Sequence, residues 1–325
     1  MGIGSKVFIL GSGFSASMGL PTLINLFQEI MSLREMESEK ENVFDALEVL
    51  YPNFNKKGEP SSYPPFEEFL SLVSSAKDLP FFPKLKWDKN WRSALRLLTD
   101  CLDSKQIAAE NSALLNEFVT NIQNGDVIIT FNWDNLIERA LFLQDRSVNF
   151  LGIDSKSVTV LKLHGSINWF EPRKGLRLLN PSSVLHLTNR IVCMPDFTYY
   201  NAWDVLGQPP LIVPPILSKM VSVSNIFNKI WQIAFNSIIK AERVAVIGYS
   251  IPNDDLHARC LLRTSWTVRN RKKEAESELP DKYILVDPNP QVSDKYSQFV
   301  SSAHDYYQAF FTRDLFSIMF QNEGK

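Results

Sequence analysis

The sequence predicts an α/β fold: a doubly wound parallel sheet that carries a helical insertion and a small irregular lobe. Three observations predict it. Five short apolar runs each end in glycine or a polar residue, and three of them lead directly into a helical pattern. Strands separated by helices form parallel sheets, because a parallel pair needs a long crossover. A content of 45% hydrophobic and 22% charged residues over 325 positions suits one large domain or a domain with a sizeable insertion.

Lys6 to Leu10 is an apolar run closed by Gly11-Ser12-Gly13, and Ser15 to Met31 follows with helical spacing at Leu20, Leu23, Leu26, Phe27 and Ile30. The expectation is strand, tight turn, helix. Residues 35–125 read as the helical insertion, with helices near Asn42 to Leu50, Phe66 to Ser75, Asn90 to Leu102 and Ile107 to Ile122. Pro60 to Pro65 and Leu79 to Pro83 punctuate it. The strand-to-helix order returns at Asp126 to Thr130 with Asn132 to Leu143. Val158 to Leu163 reads as a buried strand because it lacks alternation. Residues 165–218 are rich in proline and aromatics, among them Trp169, Pro172, Pro181, Pro195, Tyr199, Tyr200 and Trp203, and read as the small lobe. Arg243 to Gly248 with Asp254 to Leu262 repeats the pattern a third time. Arg269 to Glu278 reads as a solvated mixed-charge loop, and Tyr283 to Val286 as a fifth buried strand.

Composition excludes several function classes. Lys plus Arg total 34 against 36 Asp plus Glu, so a net charge of −2 offers no overall basic field to hold a nucleic acid directly. No stretch approaches the ~20 apolar residues of a membrane span, and the first residues show no signal pattern, so a cytoplasmic protein without membrane attachment is expected. Cys101, Cys193 and Cys260 are too widely spaced for a disulfide framework or a zinc site and read as small core residues. No metal is expected. The absence of a G-x-S-x-G elbow and of a Walker lysine argues against serine hydrolysis and ATP hydrolysis.

Chemistry-bearing residues gather at the predicted strand ends, where open α/β sheets bind ligands. Gly11-Ser12-Gly13 suits a phosphate at a strand-to-helix turn; a tight turn without a ligand is the other reading. Asn132 and Asp134 follow the second strand, as site residues or as helix caps. His164 ends a third strand, and Gly165 after it lets the backbone turn and a substrate approach the ring. Gly248 and Ser250 end a fourth strand beside Asn253, Asp254 and Asp255, any of which suits a cap of the next helix. Asp287 ends the fifth, where a carboxylate accepts from ribose hydroxyls in nucleotide-binding sheets.

Taken in order, Gly11 to Ser15 with Gly19-Leu20-Pro21, Thr130 to Asp134, His164-Gly165, Gly248-Tyr249-Ser250 and Asp287-Pro288-Asn289 resemble the motif series of the sirtuin superfamily. The order and spacing cover most of the chain. They resemble best the zinc-free sirtuin-like NAD-hydrolysing domains of bacterial anti-phage systems, of the Thoeris effector type. The sequence lacks a four-cysteine zinc ribbon, has Phe131 where classical deacylases carry Gln before the Asn, and has Leu23-Ile24 where their first motif continues to Phe-Arg. Those departures point away from protein deacylation.

The resemblance implies a Rossmann-like NAD-binding domain over residues 1–325 with NAD as substrate. On matching positions, Asn132 and His164 would be catalytic, and Gly11, Ser12 and Gly13 would bind the pyrophosphate. Asp134 would touch the nicotinamide carboxamide. Ser250 and Asp287 would lie near phosphate and adenosine ribose, with Ser15, Gly165 and Gly248 completing the NAD site. The implied products are nicotinamide and ADP-ribose, and the implied role is NAD depletion in anti-phage defence. Regulation would then come from a homo-oligomer or from a second defence protein acting as sensor or activator. The alternatives are an NAD-dependent deacylase or ADP-ribosyltransferase, and a non-catalytic NAD or ADP-ribose sensor.

Overall fold

The computed structural model describes residues 5–56, 63–79, 84–171, 185–188, 191–193, 203, 206–213, 225–275, 283–300 and 304–320. Most of the lobe read at 165–218, including Pro172, Pro181, Pro195, Tyr199 and Tyr200, lies outside them, as do Pro60, Glu276 and Glu278.

The chain runs through β1 (Lys6–Leu10), α1 (Ser12–Ala16), α2 (Leu26–Met31), α3 (Glu37–Leu50), α4 (Phe66–Asp78), α5 (Lys84–Ala109) and α6 (Ala113–Asn121). Next come β2 (Val127–Thr130), α7 (Leu136–Leu143), β3 (Val148–Asn149), β4 (Val158–Lys162) and β5 (Gly165–Phe170). The short strands β6 (Leu185–His186), β7 (Val192–Cys193) and β8 (Pro210–Ile212) follow. The rest is α8 (Asn225–Lys240), β9 (Arg243–Ile247), α9 (Leu256–Ala275), β10 (Tyr283–Val286), α10 (Pro290–Val300), β11 (His304–Tyr307) and α11 (Phe316–Phe320).

The described chain separates into two compact units. The first, residues 1–19, 108–166 and 215–325, holds a seven-stranded sheet in the order β11-β10-β9-β1-β2-β4-β3 with every pair parallel. This is the α/β, Rossmann-like arrangement that the sequence predicts, with β3 added at one edge. The strands β1, β2, β4, β9 and β10 are buried along their length apart from half-buried Arg243, which is why they read as continuous apolar runs. Strand order reverses at β1, which has β2 on one side and β9 on the other. Phe8, Phe14, Phe118, Phe311, Phe316 and Phe320 build an aromatic core in this unit, with Phe14 and Phe118 centroids 5.0 Å apart.

The second unit, residues 20–107 and 167–214, contains α2 to α4 and most of α5. Phe27 anchors it against Tyr63, Phe66 and Phe69 at 5.0–5.1 Å. It also holds a four-stranded sheet in the order β6-β7-β5-β8, with Trp169 opposite Cys193. The lobe is therefore partly regular.

Three expectations are corrected. The single helix read over Ser15 to Met31 is two short ones: Gly19 takes φ +94°, and Pro21 both lacks an N–H and disfavours helix at Leu20. The charged stretch from Arg269 continues α9 to Ala275, and Arg269 is buried. Its guanidinium donates to the carbonyls of Ile238 and Ala241, satisfying the C-terminal end of α8 where a cation is favoured. Cys101 and Cys193 are buried, but Cys260 faces out from α9.

Candidate active site

Sheet register brings the predicted strand ends into one row. Leu10 lies opposite both Thr130 and Ile247, Thr130 opposite Lys162, and Ile247 opposite Val286. The ladder continues one rung: Phe131 N–H donates to Leu10 O, Leu163 N–H to Thr130 O, Gly11 N–H to Ile247 O and Gly248 N–H to Val286 O, at 2.8–3.1 Å. Gly11, Asn132, His164, Gly248 and Asp287 therefore all start from the carboxyl edge of one sheet, around its topological switch point.

At that switch point the β1 and β9 turns are packed backbone to backbone. A Cβ on Gly11 would lie 2.4 Å from Gly248 O, and one on Gly13 would lie 2.7 Å from Gly248 Cα. Gly13 N–H donates to Gly248 O at 3.0 Å. Gly248 itself takes φ +61°. Ser12, between the two glycines, is half-buried.

Asn132 follows β2 and reaches across to the first turn. Its Nδ2 donates to Gly11 O at 2.9 Å and to Ser15 Oγ at 3.0 Å, and the Ser15 hydroxyl donates to Asp134 Oδ2 at 2.8 Å. Asp134 Oδ1 accepts from Leu136 N–H at 3.2 Å, so this carboxylate also holds the start of α7. Beneath the loop, the buried Lys162 ammonium donates to Asp134 O and lies 3.2 Å from Glu138 Oε1. Burial pushes the Glu138 carboxyl up, and Lys162 pulls it back.

His164 is 3% exposed, and its Nε2 lies 3.3 Å from Oδ2 of Asp255, also 3% exposed. The Tyr249 hydroxyl donates to the same oxygen at 2.9 Å, and Ala258 N–H donates to Oδ1 at 3.1 Å. Burial alone would push Asp255 up; His164, the Ala258 N–H and the Tyr249 hydroxyl instead hold it below the usual carboxylate range. Phe131 stands edge-on to His164 at 5.3 Å and stacks on Tyr249 at 4.0 Å, while Trp231 of α8 lies 6.4 Å from the imidazole. A titratable ring thus lies among aromatic side chains with the Asp255 carboxylate beside it.

Gly165 turns the chain into β5 with φ +75°. Ser250 is exposed, and the next residue, Ile251, takes φ +50° although it is β-branched and fully buried. Such a conformation costs about 1–3 kcal/mol and persists only where its surroundings impose it. Lys295 Nζ donates to Ile251 O, and the Tyr296 hydroxyl to Tyr249 O, both at 2.9 Å. Asp287 is buried, accepts from Asn289 N–H at 2.9 Å, and has its carboxyl pushed up by desolvation.

Sequence reasoning singled out Asn132, Asp134 and His164 and missed Lys162 and Glu138. It saw Asp255 only as one of three cap candidates. Among the described residues, no group of three His, Cys, Asp or Glu side chains is placed to hold a metal ion, and no helix is long and apolar enough to cross a membrane.

No family model matches the chain, and no curated protein matches it. Solved structures do. A Sir2Tm chain bound to a propionylated peptide is 15% identical, with 97% of this chain and 92% of that chain covered at a TM-score of 0.39. A Sir2 complex with a p53 peptide and NAD+ is 14% identical over 97% of this chain and 92% of that one, at 0.40. A structure described as the basis for the mechanism and regulation of Sir2 enzymes is 13% identical over 94% and 87%, at 0.43.

Proposed function

We propose that this protein hydrolyses NAD at the bond between nicotinamide and ribose, releasing nicotinamide and ADP-ribose. The observation that supports the reading best is the convergence of Asn132, Ser15, Asp134 and His164 at the switch-point edge, the first three in one hydrogen-bond chain. The leaving group departs as a neutral ring, so cleavage needs no strong general acid. The ribose takes on oxocarbenium character. Asn132 is neutral and, with both Nδ2 hydrogens given to Gly11 O and Ser15 Oγ, presents its Oδ1 as an acceptor that suits holding a ribose hydroxyl or a water without titrating. His164 is the general base: water adds its oxygen to the anomeric carbon, the carbon–nitrogen bond breaks toward nicotinamide, and the imidazole takes the water proton.

In this reading Asp134, coupled to Asn132 through Ser15, receives the carboxamide. Ser12 faces the pyrophosphate. Gly11 and Gly13 act by lacking side chains, since their N–H groups donate to Ile247 O and Gly248 O. Gly165 and Gly248 supply turns, and Ser250 and Asp287 take the adenosine side. The sequence motifs extend the proposal to an effector of anti-phage defence that depletes NAD and is controlled by self-assembly or by a second protein.

The test is nicotinamide release from NAD by the purified chain without any acyl-lysine peptide, with products identified by mass spectrometry. Asn132→Ala and His164→Ala should each lower release by ~10²-fold or more. Undiminished release in both variants, or a parent that neither binds nor cleaves NAD, overturns the reading. Release that depends on an acylated peptide would assign deacylation instead.

A further inference from the structure

The carboxylate of Asp255 makes more contacts than a helix cap needs. Capping of α9 uses Oδ1 alone, through Ala258 N–H. Oδ2 accepts the Tyr249 hydroxyl and lies 3.3 Å from His164 Nε2, in surroundings that leave Asp255 3% exposed. The loop that delivers it is imposed on the chain: Gly248 and Ile251 both take positive φ, and Lys295 and Tyr296 of α10 clamp the carbonyls of Ile251 and Tyr249.

Among the described residues, aromatic side chains flank His164. Phe131 and Trp231 face the imidazole, and His257 lies against Trp231 at 6.2 Å. The nearby Lys162 is paired with Glu138 and with Asp134 O. Asp255, steadied by Tyr249, is a carboxylate at the ring.

We propose that Asp255 is a positioning residue for His164: its carboxylate charge, 3.3 Å from Nε2, favours the tautomer that carries the hydrogen on Nε2 and so biases which ring nitrogen accepts a proton. Tyr249 acts one step further out by fixing the carboxylate. Base function in His164 rests on the proposed NAD hydrolysis; the pairing itself does not. A carboxylate that orients a catalytic imidazole governs both which nitrogen is basic and how basic it is.

The experiment compares the full chain with Asp255→Asn and Tyr249→Phe. Asparagine keeps an oxygen for the cap and removes the charge. An NMR titration of the His164 ring reads the pair without any turnover. The midpoint should fall by about one pH unit or more in Asp255→Asn, since one unit is a modest charge–charge effect at this distance. It should move slightly upward in Tyr249→Phe, which leaves the carboxylate less neutralised. A residue that only caps α9 would leave His164 unmoved, and an unmoved midpoint in both variants overturns the proposal.

The second readout is the pH profile of nicotinamide release. In Asp255→Asn its acid limb should shift to lower pH and its plateau should fall ~10²-fold or more. A moved midpoint in a parent that releases no nicotinamide would uphold the pairing and sink NAD hydrolysis. An unmoved midpoint with active parent would do the reverse.

Discussion

The backbones of Gly13 and Gly248 are in contact: Gly13 N–H donates to Gly248 O at 3.0 Å, and a Cβ on Gly248 would lie 2.5 Å from Gly13 Cα. No side chain fits between the two turns. Gly13→Ala and Gly248→Ala should each cost at least ~3 kcal/mol, from overpacking and, at Gly248, from strain at φ +61° as well. Gly19→Ala meets nothing within 4 Å and pays only for its φ of +94°, about 1 kcal/mol. Urea midpoints of the three variants check the order, and an equal loss at all three would refute the close-packing account.

Lys162 and Glu138 should be more costly to separate than to remove together. Lys162→Met leaves a buried carboxyl without its cation and frees Asp134 O, so a loss of about 3 kcal/mol is expected. Adding Glu138→Leu to that variant should restore most of the stability. A double variant as unstable as the sum of the two singles would mean that the two side chains act independently.

Asp287→Asn should stabilise the fold at neutral pH. Burial raises the Asp287 carboxyl on folding, so its ionised form penalises the native state above the unfolded value of about 4 and the penalty vanishes as pH falls below it. The stability gain should therefore be present at pH 7 and close in acid. NAD affinity should fall in the same variant if Asp287 meets the ribose, which calorimetry reads separately. Asp255 behaves in the opposite sense: held low by its partners, it contributes stability above about 4 that is lost as pH falls through its folded value.

One thiol of three should react in the native protein. Cys260 is exposed, Cys193 is buried with Asn168 Nδ2 3.3 Å from its sulfur, and burial pushes the Cys101 thiol up to about 12. A chromogenic disulfide reagent should titrate a single thiol before denaturation and three after it. Three fast thiols in the native state would contradict the burial of Cys101 and Cys193.

The parallel sheet was legible because its strands are buried on both faces. β1, β2, β4, β9 and β10 fall within a residue of the apolar runs that announced them. β11 has the sequence His304-Asp305-Tyr306-Tyr307 at the sheet edge, half-buried at most, and offers no such run. Asn132 and His164 were readable as polar residues directly after strands. Asp255 was not distinguishable from Asn253 and Asp254 as a cap, because only the tertiary fold decides which of the three turns inward. Lys162 was hidden for another reason: it is a charged residue inside an apolar strand, and its partner Glu138 sits on a separate helix, 24 residues earlier in the sequence.

The place of β1 at the centre of its sheet also sets an order of assembly. Val7 pairs with Val127 on one side and Lys6 with Arg243 on the other, so β1, which precedes both partners in sequence, must wait for them. Such long-range pairings make folding slow and leave strand edges open while the chain is being synthesised. Gly248 and Asp255 are made after β1, β2 and β4, and until they are the first glycine turn lacks its counterpart and His164 lacks Asp255. Under the proposed NAD hydrolysis, the nascent chain would stay inert on the ribosome until residues 248–255 had emerged.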